Sequence, residues 1–286
     1  MKNVLVVSNF NAGRKKALKY KKTVINFLIK NSNKFKFISV DEIDYIDLTD
    51  YDTIIAMGGD GTINRVLPYV FNTDKTLGII PCGTANLLAS RLKIPTNIKK
   101  AIDVLKNGSS KAIDTMQINN KLGILRLGIG FDADIICKTP QSVKNRFGYF
   151  AYFVSGCLFA LRLKNKKYKF LINDSEEIKE TASCIIVANS PNMWQNMVSV
   201  GHKSNLDDGL LDIFVLKTQN PIIFFIELLS IVLKIKITNK RARYLKANSI
   251  KIQNKWCYAH LDGEKIRYNE DIHIKVHPKS IKVLAK

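Results

Sequence analysis

Short apolar runs punctuate the first hundred residues at a regular spacing: 4–7 (Val-Leu-Val-Val), 35–40, 53–57 and 77–80. Between them lie stretches of helical character over about 15–30, from near Thr62, from near Ala85, and over about 98–106. Strands alternating with helices in this way predict a largely parallel sheet with helices on both faces. On such sheets, ligands gather at the carboxyl ends of the strands.

After Asn107-Gly108 the pattern changes. Residues 112–118 and 122–129, separated by Asn119-Asn120, predict a hairpin. Strand-like runs follow at 168–172, 183–188, 211–216, 249–253, 257–261 and 272–276. The expected fold class is therefore α/β plus all-β: an N-terminal α/β domain with a parallel sheet, then a C-terminal antiparallel β-sandwich or barrel. The boundary is expected near residue 118, giving domains 1–118 and 119–286, with the last strand (281–284) a candidate to return to the first domain. Two apolar segments, 147–163 and 221–235, interrupt the β pattern. Both are shorter than the roughly 18–20 apolar residues that a membrane span requires. In the second, Glu227, Ser230 and Lys234 share one helical face.

A chain of 286 residues, 46% hydrophobic and 24% charged, can bury a core in each of two domains, which excludes wholesale disorder. Cys82, Cys137, Cys157, Cys184 and Cys257 show no short pairing, so neither a disulfide framework nor a zinc site is expected. The N-terminal apolar run is too short for a signal peptide, and a cytoplasmic location is expected. The net charge of +21 changes the picture, because residues 234–251 hold seven basic side chains and no acidic one. Such a tract suits nucleic acid or an anionic membrane surface. It has no nucleic-acid-binding motif and no interleaved aromatic platform, so nucleic acid is not an expected partner.

The chemistry concentrates in Gly58-Gly59-Asp60-Gly61-Thr62, which follows the third strand and opens a helix. Glycines let backbone amides approach a phosphate, and a helix N-terminus adds partial positive charge. A carboxylate in such a loop can direct Mg²⁺ to the phosphates, and Thr62 can cap the helix. A second loop, Pro81-Cys82-Gly83-Thr84-Ala85-Asn86, also lies between strand and helix, and Ser8 to Gly13 follow the first strand. Three polar loops on one sheet edge describe a nucleotide site.

These motifs, with Gly128-Ile-Gly-Phe-Asp132-Ala133, Leu206-Asp-Asp-Gly-Leu-Leu-Asp212 and Asp262-Gly-Glu264, resemble the signatures of the diacylglycerol-kinase catalytic family. The likeness is to its bacterial soluble lipid kinases, related to sphingosine and ceramide kinases. That resemblance implies an active site in the cleft between the two domains and transfer of the γ-phosphoryl group of ATP to a lipid hydroxyl, with diacylglycerol or a related lipid alcohol as acceptor. It implies an ATP site lined by Asn9, Phe10, Asn11, Ala12, Gly13, Gly59, Asp60, Gly61, Thr62, Ile63, Asn64 and Thr84. Asp60 would organise the catalytic Mg²⁺ and Glu264 would be the general base. A structural Mg²⁺ would be held by the Asp208 carboxylate and the carbonyls of Asn205 and Leu210. Partners would be the lipid substrate and an anionic membrane surface, to which the protein binds peripherally; a homodimer is an open arrangement.

Arg65, Leu87 and Arg126 depart from the family's usual residues, and 193–197 contain no glycine where a Gly-rich stretch is usual. Two alternatives stand beside the lipid kinase. One is an NAD kinase-like enzyme, which shares Gly-Gly-Asp-Gly-Thr; the other is a non-catalytic nucleotide-binding protein of membrane surfaces.

Overall fold

The computed structural model describes residues 2–10, 12–32, 34–139, 155–156, 163–189, 192–193, 198–199, 205–218, 220–223, 242–253 and 257–286. The chain forms two compact units: residues 1–114 with 279–286, and residues 115–278.

The first unit is built on β1 (Asn3–Ser8), β2 (Lys34–Ser39), β3 (Thr53–Gly58) and β4 (Thr76–Pro81), all parallel in the order β2-β1-β3-β4. The final strand adds to this edge, with Lys282 and Val283 paired in parallel to Thr76 and Leu77. The runs of β1, β3 and β4 are largely apolar because both faces are covered, whereas the edge strand β2 alternates Lys and Phe. Val4, Val6, Ile55, Met57, Ile80 and Cys82 pack against α1 (Ala12–Asn31), with Leu105 of a later helix. The opposite face meets α2 (Asp60–Val70), through Ile63, Val66, Leu67 and Val70. Two further helices follow β4: α3 (Leu87–Arg91) and α4 (Ile98–Asn107). Asn97 caps α4 by accepting the N–H groups of Lys99 and Lys100, as its short polar side chain suits.

The second unit begins within β5 (Ser109–Ile118), which forms a hairpin with β6 (Lys121–Gly123) through Asn119 at φ +48°. The expected single strand over 122–129 is broken after Gly123, and β7 (Arg126–Gly130) joins a different sheet. After β7 come α5 (Phe131–Lys138), β8 (Lys166–Ile172), β9 (Glu176–Ala182), β10 (Cys184–Ala188), the short β11 (Asn192–Met193) and β12 (Val198–Ser199), and β13 (Leu211–Leu216). The remainder is β14 (Ala242–Ala247), β15 (Ser249–Gln253), β16 (Cys257–Leu261), β17 (Glu264–Tyr268) and β18 (Ile272–Ala285). One sheet is antiparallel in the order β14-β13-β10-β7-β16-β17; the other runs β18-β15-β8-β9. Between them lies one apolar core that includes Leu127, Ile129, Ile185, Val187, Ile213, Phe170, Ile250 and Ile274. This is the two-layer solution for amphipathic sheets.

Among the described residues, no helix is long and apolar enough to cross a membrane. Most of the two apolar segments read from the sequence lies outside the described residues, as do residues 234–241 of the basic tract.

Candidate active site

β1, β3 and β4 are adjacent and parallel, so their carboxyl ends bring Ser8 to Phe10, Gly58 to Thr62 and Cys82 to Asn86 to one edge of the first unit. Each loop is tied to the next through the backbone. The Asn9 N–H donates to the Met57 carbonyl at 3.2 Å, and the Cys82 N–H donates to the Gly58 carbonyl at 2.8 Å.

The two glycine loops touch backbone to backbone. A Cβ on Gly83 would stand 2.5 Å from the Gly59 Cα, and one on Gly58 would stand 2.0 Å from the Thr62 hydroxyl oxygen. Glycine is required here by close packing. Asn86 closes its own loop in the left-handed region, at φ +49°. Its amide accepts the Gly83 N–H at 2.9 Å and donates to the Gly83 carbonyl at 2.8 Å. Helix α2 starts at Asp60 with Gly59 as its N-cap, so Thr62 lies buried in the first turn and is not the cap expected from the sequence.

Asp60 makes the second link between these loops. Its carboxylate accepts the N–H groups of Leu87 (3.1 Å) and Leu88 (3.2 Å), at the start of α3. Burial pushes its pKa above the usual carboxylate range, against the backbone N–H groups that favour the ionised form. The backbone N–H groups of Asn86 and of Asp60 itself also face this carboxylate. Asn64, one turn into α2, has its side-chain oxygen buried with no hydrogen-bond partner. A buried acceptor without a donor is costly, and a ligand N–H or O–H would satisfy it. Thr84 and Gly61 are exposed on the same loops, Ile63 is buried, and Phe10 is half-buried, with the Lys21 ammonium 5.1 Å from its ring centroid. Asn11 lies outside the described residues; Ala12 and Gly13 begin α1.

In the second unit, Glu264 opens β17 directly after a two-residue turn. Asp262 (φ +50°) and Gly263 (φ +94°) both take positive φ, the tight hairpin turn that Asp-Gly favours. The Asp262 carboxylate accepts three N–H groups: Ile124 at 2.8 Å, Leu125 at 3.0 Å and Arg126 at 2.7 Å. These are the amides freed where the chain breaks between β6 and β7. Asp262 thus holds the turn that presents Glu264, an acid the sequence left without a role. Glu264 is exposed.

Beneath this turn lies a buried cluster that the sequence did not reveal. The His260 Nε2 is 2.7 Å from the Asp132 Oδ2, and the Arg126 guanidinium is 3.3 Å from the same oxygen. Burial alone would raise the Asp132 pKa, but the Arg126 charge and the contact with His260 hold it down at about 2. Arg126 is therefore engaged with a carboxylate. Arg65 is likewise paired, with Asp44, which also accepts the Tyr69 hydroxyl.

The expected structural Mg²⁺ site meets a different arrangement. The Asp208 Oδ1 accepts the Leu210 N–H at 3.1 Å, and Oδ2 pairs with the Lys246 ammonium at 2.9 Å. Lys246 also lies 3.9 Å from Asp212, which accepts the Tyr244 hydroxyl. Among the described residues no group of three or more His, Cys, Asp or Glu side chains could hold a metal. Mg²⁺ held by Asn205, Asp208 and Leu210 would have to compete with the Lys246 ammonium for Asp208.

Residues 3–118 match the diacylglycerol kinase catalytic domain, and residues 126–285 match the YegS C-terminal NAD kinase beta sandwich-like domain. The Diacylglycerol kinase of Bacillus subtilis is 31% identical over 222 residues, covering 76% of this chain and 72% of that protein. An uncharacterized protein of Synechocystis is 32% identical over 239 residues, 81% of this chain and 54% of that protein. The Diacylglycerol kinase of Staphylococcus saprophyticus is 29% identical over 60% of this chain and 56% of its own length. The chain therefore spans little more than half the length of the Synechocystis and staphylococcal relatives. A crystal structure of a candidate diacylglycerol kinase from Bacillus anthracis has the same fold, with a TM-score of 0.83 at 22% identity over 100% of this chain and 97% of that one. An NAD kinase from Archaeoglobus fulgidus in complex with ATP is a more distant fold neighbour, with a TM-score of 0.54 at 12% identity over 99% of this chain and 93% of that one.

Proposed function

From the premise that this chain belongs to the diacylglycerol kinase catalytic-domain family, we propose that it transfers the γ-phosphoryl group of ATP to a lipid hydroxyl. Diacylglycerol or a related lipid alcohol is the proposed acceptor. The observation that carries the reading is the pair of glycine loops at the ends of β3 and β4, in backbone contact and joined by Asp60, beside the unpaired Asn64 acceptor.

Phosphoryl transfer depends chiefly on in-line positioning and charge neutralisation. Thr62 and Ile63 donate to the Gly59 carbonyl, and the amides ahead of them at the start of α2 are suited to phosphate oxygens. Asn64 would accept from the nucleoside, and Asp60 would hold the Mg²⁺ that accompanies ATP, whose charge would offset that of the phosphates. Glu264 would take the proton of the lipid hydroxyl as its oxygen bonds to the γ-phosphorus and ADP departs.

Reaching such an acceptor calls for binding at a membrane surface, and the basic tract serves this role in our reading. Lys236, Lys240 and Arg241 lie outside the described residues. Arg243 is committed elsewhere, with its guanidinium 3.0 Å from Glu180 beside Lys217.

The test is a panel of diacylglycerol, ceramide, sphingosine and NAD incubated with terminally labelled ATP. Label in a lipid product, lost in Glu264→Gln, is the expected result. Label in NADP alone, or no acceptor-dependent turnover, refutes it.

A further inference from the structure

A general base on an exposed hairpin is only as well placed as its turn. We infer that the buried Asp132–His260 pair positions Glu264 by gripping the turn from below, an inference that rests on the reading of Glu264 as the base. His260 is fully buried in β16, two residues before Asp262. Its two ring nitrogens face two different groups. Nδ1 accepts the Gly263 N–H at 3.3 Å, and Nε2 faces the Asp132 carboxylate at 2.7 Å. Since Nδ1 accepts, the ring is neutral with its proton on Nε2, donated to Asp132. The carboxylate fixes the tautomer, and the tautomer leaves the lone pair that holds Gly263, the residue next to Glu264.

The surroundings are shaped around this pair. Gly128 pairs with His260 across the sheet, and a Cβ there would stand 2.1 Å from the Asp132 Oδ2 and 2.4 Å from the His260 Nε2. A side chain at 128 is therefore incompatible with the pair. Arg126 approaches Asp132 at 3.3 Å and keeps the carboxylate ionised, while its own N–H enters the Asp262 clamp at 2.7 Å. Asp262 ties the turn to β7, and His260 ties it to α5 through Asp132. With both ties, the backbone of Gly263 is held from two directions, and the Glu264 Cα with it. His260 touches no reacting atom in this scheme; it is a positioning residue.

Two substitutions separate the functions of the two nitrogens. His260→Asn places a carbonyl oxygen near Nδ1 and keeps the acceptor for Gly263, but does not reach Asp132. His260→Gln places an amide N–H near Nε2 and keeps the donor to Asp132, but offers Gly263 no acceptor. We expect His260→Gln to lose about tenfold or more in kcat, since small misplacements of reacting groups are costly. Its KM for ATP should stay within about twofold of the wild type, because the nucleotide loops belong to the other unit. His260→Asn should melt lower, with Asp132 short of a donor, yet keep kcat within about threefold. Activity that tracks melting temperature in both variants would assign His260 to stability alone and overturn the inference. So would an imidazole ¹⁵N spectrum placing the proton on Nδ1. Glu264→Gln and the double variant separate this inference from its premise. If Glu264→Gln is slow, the double variant should be no slower. If Glu264→Gln turns over normally, the base reading fails and the inference falls with it. If Glu264→Gln is slow but His260→Gln is not, the inference alone fails.

Discussion

Replacing Asp132 by asparagine tests the electrostatics of the second unit directly. The Asp132 carboxyl is held at about 2 against an ordinary 3.8. At 1.36 kcal/mol per unit, its ionised form contributes about 2 kcal/mol to the folded state. A carboxyl depressed on folding contributes its stability in full above the unfolded pKa and loses it as pH falls through the folded one. The contribution is thus complete at pH 5, falls by about 1 kcal/mol by pH 3 and is largely gone near pH 2. The substituted amide cannot titrate, so the stability gap between wild type and Asp132→Asn should shrink by about 1 kcal/mol between pH 5 and pH 3. The assay is urea unfolding followed by tryptophan fluorescence. A gap that stays constant across this range would refute the assignment of Arg126 and His260 as the partners that hold Asp132 ionised.

Gly83→Ala should weaken nucleotide binding and lower the melting temperature, because its Cβ would meet the Gly59 backbone at 2.5 Å; wild-type ATP affinity by calorimetry would contradict this. Asp60→Ala should abolish turnover and also cost about 1 kcal/mol of stability, comparable to a lost helix cap, as read by paired kinetics and thermal melts. Changing Lys236, Lys240 and Arg241 to Glu should reduce sedimentation with anionic vesicles, at about 1 kcal/mol per charge removed, while activity on a dispersed short-chain lipid survives; equal loss on both substrates would place these residues in the fold or the site. Melting of the wild type should be unchanged by millimolar Mg²⁺ alone, since Lys246 occupies Asp208; a rise that Asp208→Ala abolishes would restore the metal.

The nucleotide-side architecture was legible because β1, β3 and β4 are apolar on both faces and the loops after them carry glycines at strand ends. Val4 to Val7 and Thr53 to Gly58 read as strands with little ambiguity. β9, β14 and β17 did not, because each buries few residues and is polar elsewhere: Glu176–Ala182 carries three Glu and one Lys. In Asp-Gly-Glu, Glu264 could be singled out, but the work of Asp262 could not. Its three donors stand 136 to 138 residues earlier, and the reason they need an acceptor is a sheet change that no local pattern marks. Arg126 and Arg65 read only as departures, since their partners Asp132 and Asp44 are fixed by packing. The same holds for Lys246, whose reach to Asp208 depends on the pairing of β13 with β14.

The division of the chain has a consequence for how the protein is made. The first unit is closed by residues 279–286, so everything from 115 to 278 is synthesised between its two parts. Until Lys282 and Val283 arrive, Thr76 and Leu77 present an unpaired strand edge to the cell. An open edge of this kind is a template for pairing with other chains. The nascent nucleotide-side sheet must wait for the whole second unit to emerge, which at roughly 5–20 residues per second is on the order of ten seconds or more. Sequence changes that slow folding of the second unit would then show first as aggregation through β4, an effect of timing that no equilibrium measurement on the purified protein would register.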